Sequence, residues 1–288
     1  MNLLCGKTAS AKIKLELKEE AAKMSKPPHL AAILVGNNPS SETYVRNKIK
    51  ACEETGFKSS LIHLENNISE NELINEIIKL NENPDIDGFI VQLPLPKQLN
   101  EEKIISYISP EKDADGFHPV NLGRMMRGLP SLMPATPKGI LELLNFYEIT
   151  TEGKHCVVLG RSLLVGTPVS ILLSRKTYPG NCSVSILHSK SNNLNELCQQ
   201  ADIIISAIGV THFVKAGMVK DGAVVVDVGT NSIADPSKKS GYRLTGDVDF
   251  EEVAPKCSWI SPVPGGVGLM TVTALLQNTM TAAKLRRT

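Results

Sequence analysis

Aromatic side chains are scarce: Phe, Trp and Tyr together make up 4% of the 288 residues, with a single tryptophan. Single-stranded nucleic acid is gripped by stacking bases on aromatic platforms, so this scarcity speaks against that mode of binding. A surplus of either charge is missing too. The formal net charge is +1, so no global field draws in nucleic acid or an anionic membrane. No apolar run approaches the roughly 20 residues that a membrane-spanning helix requires. The opening segment MNLLCGKTASAKIKLELKEEAAKM lacks an apolar stretch of signal-peptide length. Its Glu16, Glu19 and Glu20 are foreign to a mitochondrial transit peptide, so it reads as an amphipathic helix of the mature protein. Cys5, Cys52, Cys156, Cys182, Cys198 and Cys257 form no Cys-x-x-Cys pair and have no histidine cluster beside them. Neither a disulfide framework nor a metal site is expected; scattered thiols fit a reducing, cytoplasmic setting.

What is present is ample apolar material, 42% of residues, in a chain long enough for two domains. Two β/α series follow one another. The first begins with LAAILVG (30–36), a compact run suited to a buried parallel strand. A helix carrying Tyr44 and Lys48 follows, with Ser40 or Ser41 as its cap and Gly56 at its end. SLIHLE is a second strand, SENELINEIIKLNEN a helix with Leu73, Ile74, Ile77 and Ile78 on one side, and GFIVQLPLP (88–96) a third strand running into a proline-rich loop. After a short helix EEKIISYI, the segment SPEKDADGFHPVN reads as a loop. TPKGILELLNFYEI (136–149) is a helix with Pro137 in its first turn, placed to bridge two domains. The second series has four apolar strands, HCVVLG, SVSILH, ADIIISAIG and GAVVVDVG, with helices between the first three. That is the pattern of a doubly wound nucleotide-binding sheet. The chain closes with a helix from Leu269, whose Arg286 and Arg287 suit the negative end of its dipole.

Ligands of open parallel sheets sit at the C-terminal ends of the strands. The first strand of the second series ends in LGRSLLVGTP (159–168). This is not Gly-x-Gly-x-x-Gly, but it keeps Gly160 at the tight turn and Gly166 where the helix starts, an arrangement that favours a phosphate. The second strand ends in His188, Ser189 and Lys190, with no carboxylate to hold a free ribose 2′-OH. With Arg161 in the first loop, a 2′-phosphate is better served, so NADP is favoured over NAD. Ordinary exposed charges are the alternative reading of Arg161 and Lys190.

Tyr44 and Lys48, four residues apart, share one helical face. A Tyr-x-x-x-Lys pair serves carbonyl reduction in short-chain dehydrogenases. There it follows the glycine-rich loop, whereas here it precedes that loop by more than a hundred residues. Taken alone, Lys48 reads more readily as a solvated helix-surface lysine. DADG lacks the further ligands and closing Glu of a calcium loop.

SETYVRNK, DGFIVQLPLP, PEKDADGFHPVNLGRM, PATPKGI, VVLGRSLLVGTPVSILL, DVGTN, TGDVDF and SPVPGGVGLMTV occur in that order and span nearly the whole chain. Together they resemble the bifunctional methylenetetrahydrofolate dehydrogenase/methenyltetrahydrofolate cyclohydrolase family. The resemblance implies an α/β catalytic, folate-binding domain over 1–137, with the C-terminal helix 268–288 packing back on it. It implies a Rossmann-type NADP-binding domain over 138–267, a cleft between the two, and a homodimer. The implied reactions are oxidation of 5,10-methylenetetrahydrofolate and hydrolysis of the methenyl product to 10-formyltetrahydrofolate, one-carbon steps that serve purine biosynthesis. By motif match, Lys48 is the central catalytic residue, Tyr44 stacks near the folate, Gln92 contacts Lys48, and Asp115 holds the pterin. Leu93, Pro94, Pro264, Gly265 and Gly268 complete the folate site. Gly160, Arg161, Ser162, Val165, Gly166, His188, Ser189, Gly209, Gly229 and Thr230 take the cofactor. The residue types suit this chemistry. A lysine transfers protons near neutral pH when desolvation or a neighbouring cation lowers its pKa, and an uncharged Gln orients an amine without pinning it as an ammonium. Three positions depart from the family pattern: Leu269 replaces a proline, Ala135 a cysteine, and Thr167 a common Lys or Arg. Leu269 lies nearest the folate loop, and Thr167 removes a charge near the cofactor phosphates. A shikimate dehydrogenase would carry Asn-Val-Thr-x-Pro-x-Lys, which is absent. A binding protein without turnover and a dehydrogenase without the hydrolytic step are the remaining alternatives.

Overall fold

The computed structural model describes residues 1–237 and 241–287. The chain forms two compact units. One holds residues 1–10 and 136–271, the other 11–135 and the chain from Val272 onward. The chain opens with a short strand β1 (Asn2–Leu3) and helix α1 (Gly6–Ala22). In the unit that contains residues 11–135, strands β2 (His29–Val35), β3 (Lys58–Leu64) and β4 (Gly88–Val91) make a parallel sheet in the order β3-β2-β4. Helices α2 (Pro39–Glu54), α3 (Glu70–Glu82), α4 (Glu101–Ser106) and α5 (Pro119–Met126) connect or follow the strands. β2 reads LAAILV because its central position leaves Leu30 to Val35 buried on both faces. Ala31, Ile33 and Val35 from β2 meet Phe89 and Val91 from β4, and Leu73, Ile77 and Leu80 from α3, in one core. Each large apolar side chain so buried contributes about 1.5–3 kcal/mol.

Local chemistry sets the helix starts. Ser69 and Glu72 form a reciprocal capping box at α3. At α2 the structure corrects the expected cap. Asn38 Oδ1 accepts from the N–H groups of Ser40 (3.0 Å) and Ser41 (3.2 Å), so Asn38 caps the helix and the serines lie within it. Pro39 then takes the first helical position, where a missing N–H is harmless. The segment expected to be loop up to Asn121 becomes α5 after His118. His118 Nδ1 accepts from Val120 N–H at 3.1 Å, and Pro119 opens the helix.

In the other unit, α6 (Ala135–Phe146) precedes β5 (His155–Leu159), α7 (Gly166–Ser174), β6 (Ser183–Leu187), α8 (Leu194–Gln199), β7 (Ile203–Ser206) and β8 (Val224–Asp227). An antiparallel hairpin of β9 (Asn231–Ala234) and β10 (Tyr242–Thr245) follows, then α9 (Phe250–Val253), β11 (Trp259–Ile260) and α10 (Val267–Arg287). Six parallel strands run in the order β1-β11-β8-β7-β5-β6, two more than the four expected. β1 and β11 have two residues each, too few to show a period. Residues 1–10 cluster with this unit. Asn2 N–H donates to Ser258 O (2.8 Å) and Leu4 N–H to Ile260 O (2.9 Å), adding β1 to the sheet edge. α10 crosses the division between the units, which falls after Thr271. No helix among the described residues is long and apolar enough to cross a membrane.

Candidate functional site

Helix α2 turns Ser41, Val45, Lys48 and Cys52 inward. That stripe has the spacing of a core-facing helix, and a lysine occupies its middle. Lys48 is 9% exposed while Tyr44, one turn earlier, is 40% exposed. A buried ammonium requires partners. Lys48 Nζ donates to Gln92 Oε1 at 3.2 Å and lies 3.8 Å from Asp115 Oδ1. Gln92 is placed by the end of β4. Its N–H donates to Ile33 O at 2.9 Å, and its side-chain amide to Leu93 O at 2.6 Å. Leu93 precedes Pro94 through a cis peptide bond, and Pro94 is exposed. Among the described residues no hydrogen bond joins Tyr44 to Lys48.

Asp115 arrives by a route the sequence did not reveal. Residues 112–114 run beside β4, with Phe89 N–H donating to Lys112 O (2.8 Å) and Ala114 N–H to Phe89 O (3.3 Å). Asp113, 1% exposed, braces the turn that follows. It accepts from Gly116 N–H (3.0 Å), His118 N–H (2.8 Å) and Asn121 Nδ2 (2.9 Å). Asn278 Nδ2 then holds Ala114 O at 2.9 Å. The Asp-x-Asp-Gly spacing was the available signal, with the first carboxylate structural and the second facing Lys48. Burial pushes the Asp115 carboxyl up, against the pull of the Lys48 charge. Burial likewise pushes Asp113 up, against its hydrogen bonds from Asn121 and His118.

In the other unit, Gly160 has φ +109°, and a Cβ there would lie 2.3 Å from Ala207 O. A Cβ on Gly166 would lie 2.2 Å from Gly160 O. Only glycine at both positions lets β5, β7 and the start of α7 close on one another. Ser162 Oγ accepts from Val165 N–H (3.2 Å) and Gly166 N–H (3.4 Å), shaping the loop between them. β5 and β6 are neighbours in register, Leu159 opposite Leu187. Arg161 and Ser189 therefore each follow adjacent strand ends by two residues. Arg161, Ser189 and Lys190 are all exposed, and neither cation pairs with a carboxylate among the described residues. His188 is held inside its own turn, its Nδ1 accepting from Lys190 N–H at 3.2 Å. The loops after β7 and β8 bring Gly209, Gly229 and Thr230 to the same edge of the sheet. Pro264, Gly265 and Gly268 lie at the turn before α10 and in its first residues, with Gly265 at φ +109°. Leu269 is 38% exposed there. A cavity of about 520 Å³ lined by Tyr147, Lys154 and Trp259 opens at the opposite, N-terminal ends of these strands, away from the glycine turns.

A doubly wound parallel sheet with a glycine-built first turn, and a second α/β unit centred on a buried lysine, define a two-unit enzyme of dinucleotide-dependent type. The family described as "Tetrahydrofolate dehydrogenase/cyclohydrolase, catalytic domain" matches residues 4–115, and its "NAD(P)-binding domain" matches residues 134–287. The chain belongs to this tetrahydrofolate dehydrogenase/cyclohydrolase family. It is 57% identical over 288 residues to the "Bifunctional protein FolD" of Azobacteroides pseudotrichonymphae, covering 99% of this chain and 98% of that protein. The protein of the same name from Bacteroides fragilis shows the same identity and coverage. A crystal structure of the bifunctional enzyme FolD from Campylobacter jejuni superposes with a TM-score of 0.93 at 46% identity, covering 99% of both chains. The Trypanosoma brucei dehydrogenase-cyclohydrolase, solved with NADP cofactor and inhibitor, gives 0.92 at 38% identity, covering 98% of this chain and 96% of that one.

Proposed function

We infer that this protein oxidises 5,10-methylenetetrahydrofolate with NADP and hydrolyses the methenyl product to 10-formyltetrahydrofolate, with Lys48 as the central catalytic residue. The observation that carries the role of Lys48 is its place in the buried stripe of α2, with its amine on Gln92 Oε1 at 3.2 Å. When bound, NADP would supply the hydride acceptor for the methylene carbon. The glycine turn at Gly160 and Gly166, with Ser162 and Val165, fits its phosphates. Arg161, His188 and Ser189, with no carboxylate beside them, fit a ribose 2′-phosphate rather than a free hydroxyl. Gly209, Gly229 and Thr230 border the same edge.

In the second step water attacks the cationic methenyl carbon. Lys48 takes a proton from that water and returns one to the ring nitrogen as its bond to carbon breaks, while the hydroxyl proton of the adduct leaves to solvent. Gln92 aims the amine. Asp115, at 3.8 Å, is beyond hydrogen-bond length of Lys48. Its oxygens are free to accept paired N–H donors from the pterin. Tyr44, exposed on the same face, offers its ring to the folate. Leu93, Pro94, Pro264, Gly265 and Gly268 are assigned to the substrate, and residues 1–137 and 138–267 to the catalytic and cofactor domains. Six free thiols accord with a cytoplasmic protein. A homodimer follows from the family resemblance and is tested by light scattering.

The test is an assay of the purified protein that follows reduced NADP and the methenyl intermediate separately, repeated on Lys48→Met. The parent should reduce NADP without matching accumulation of methenyl. Lys48→Met should lose hydrolysis by about 10²–10⁴-fold while still binding NADP. Undiminished hydrolysis in that variant removes Lys48 from the mechanism.

A further inference from the structure

Two carboxylates lie buried at the C-terminal edge of the six-stranded sheet, and neither pairs with a Lys, Arg or His among the described residues. Asp227 ends β8 and is 3% exposed; Asp247, two residues beyond β10, is fully buried. Asp227 Oδ1 accepts from the N–H groups of Gly229 and Asp247, both at 2.9 Å, and its Oδ2 from Val248 N–H at 2.9 Å. Asp247 reaches further. Its Oδ2 accepts from Ile208 N–H (2.9 Å), Gly209 N–H (3.1 Å) and the Ser206 hydroxyl (3.4 Å). Its Oδ1 accepts from Asn231 Nδ2 at 3.0 Å. The crossing admits no side chain at two glycines. A Cβ on Gly229 would lie 2.2 Å from Asp247 Oδ1, and one on Gly246 1.7 Å from Asp227 Oδ2.

A carboxylate buried among neutral donors is a costly way to close a single loop. A carboxylate accepts at both oxygens, whereas an amide must turn an NH₂ toward one set of donors. Asp247 meets donors at both oxygens, one set from the loop after β7 and the other from the residue that opens β9. Those are the segments that carry Gly209 and border Gly229 and Thr230. We propose that Asp247 is a positioning residue for the dehydrogenase reaction, fixing the loops after β7 and β8 at the spacing that receives NADP, with Asp227 acting through it. This rests on the reading of that sheet edge as the NADP site. Asp247 touches neither cofactor nor substrate in this role; it sets the shape of the backbone that does.

The folate reaction supplies an internal control, because hydrolysis of added 5,10-methenyltetrahydrofolate consumes no NADP. Asp247→Asn should raise the KM for NADP at least tenfold while hydrolysis stays within twofold of the parent. An unchanged KM for NADP overturns the proposal. Should Asp247→Asn lose both reactions through misfolding, Asn231→Ala decides, since it removes one donor to Asp247 from the edge of the hairpin. A KM for NADP raised about threefold with hydrolysis unchanged supports the proposal, and an unchanged KM overturns it. A parent protein that reduces no NADP would instead sink the functional reading, so the two failures are told apart.

Discussion

Arg287→Ala is expected to destabilise the unit that holds residues 11–135 by about 3 kcal/mol. Asp87, at the start of β4, is 1% exposed. It accepts from His29 N–H at 2.8 Å and from Arg287 through Nε at 3.2 Å and through Nη2, while Arg286 Nη1 stands 3.7 Å away. Arg287 also donates to the carbonyls of Lys26 and Pro27. One side chain at the end of α10 thus ties the helix to the strand starts. Breaking a buried ion pair by removing one partner costs about 3–5 kcal/mol, because the remaining charge stays uncompensated. The lower end applies, since the Arg287 side chain is 24% exposed and Arg286 and the His29 amide remain. With m about 2 kcal/mol/M in urea, the midpoint should fall by about 1.5 M with m unchanged. Circular dichroism is the suitable probe, because the sole tryptophan, Trp259, lies in the other unit. Lys79→Ala breaks the exposed Lys79–Glu76 pair and should shift stability by less than about 0.5 kcal/mol. Equal, small shifts in both variants would refute the argument and mean that water reaches Asp87.

Three further expectations are open to measurement. Asn38→Ala removes the cap of α2 and should cost about 1 kcal/mol by urea unfolding; no loss would mean that water replaces the cap at no cost. Arg161→Ala should weaken NADP more than NAD in equilibrium titrations, and equal losses would show that Arg161 does not read the 2′-phosphate. Asp227 is pushed up to about 6, mainly by burial, against the hydrogen bonds of Val248 and Asp247. The folded state therefore holds this proton where the unfolded chain, titrating near 3.8, has lost it. This group's destabilising contribution is complete above pH 6 and vanishes below the unfolded value. Asp227→Asn removes it, so the stability of the variant relative to the parent should rise by up to about 3 kcal/mol between pH 4 and 7. A pH-independent difference would show that Asp227 stays ionised throughout.

Patterns that repeat within one element were legible in the chain. LAAILV announced a strand buried on both faces, and Leu73, Ile74 and Ile77 announced the inward side of α3, although Ile78, expected with them, is 38% exposed and Leu80 is buried instead. Gly160 and Gly166 were legible as a turn. The stripe Ser41, Val45, Lys48 and Cys52 also lay in the sequence, but whether its lysine met solvent or partners depended on Gln92 and Asp115, 44 and 67 residues away. Only the pairing of β4 with residues 112–114 brought those two side chains to its amine. β1 and β11 had no period to read, since a two-residue strand exists only by virtue of the neighbour that accepts its hydrogen bonds. Asn38 outcompeted the serines as a cap through a turn geometry that residue preference does not resolve. Asp247 carried no sequence signal of its own, because its donors come from Ser206 to Gly209 and from Asn231, gathered at one point only when the sheet forms. The sequence by itself therefore determined the longer elements, their order and the family, whereas tertiary structure decided the two-residue strands and which polar side chains share a buried space, since both depend on contacts between segments far apart in the chain.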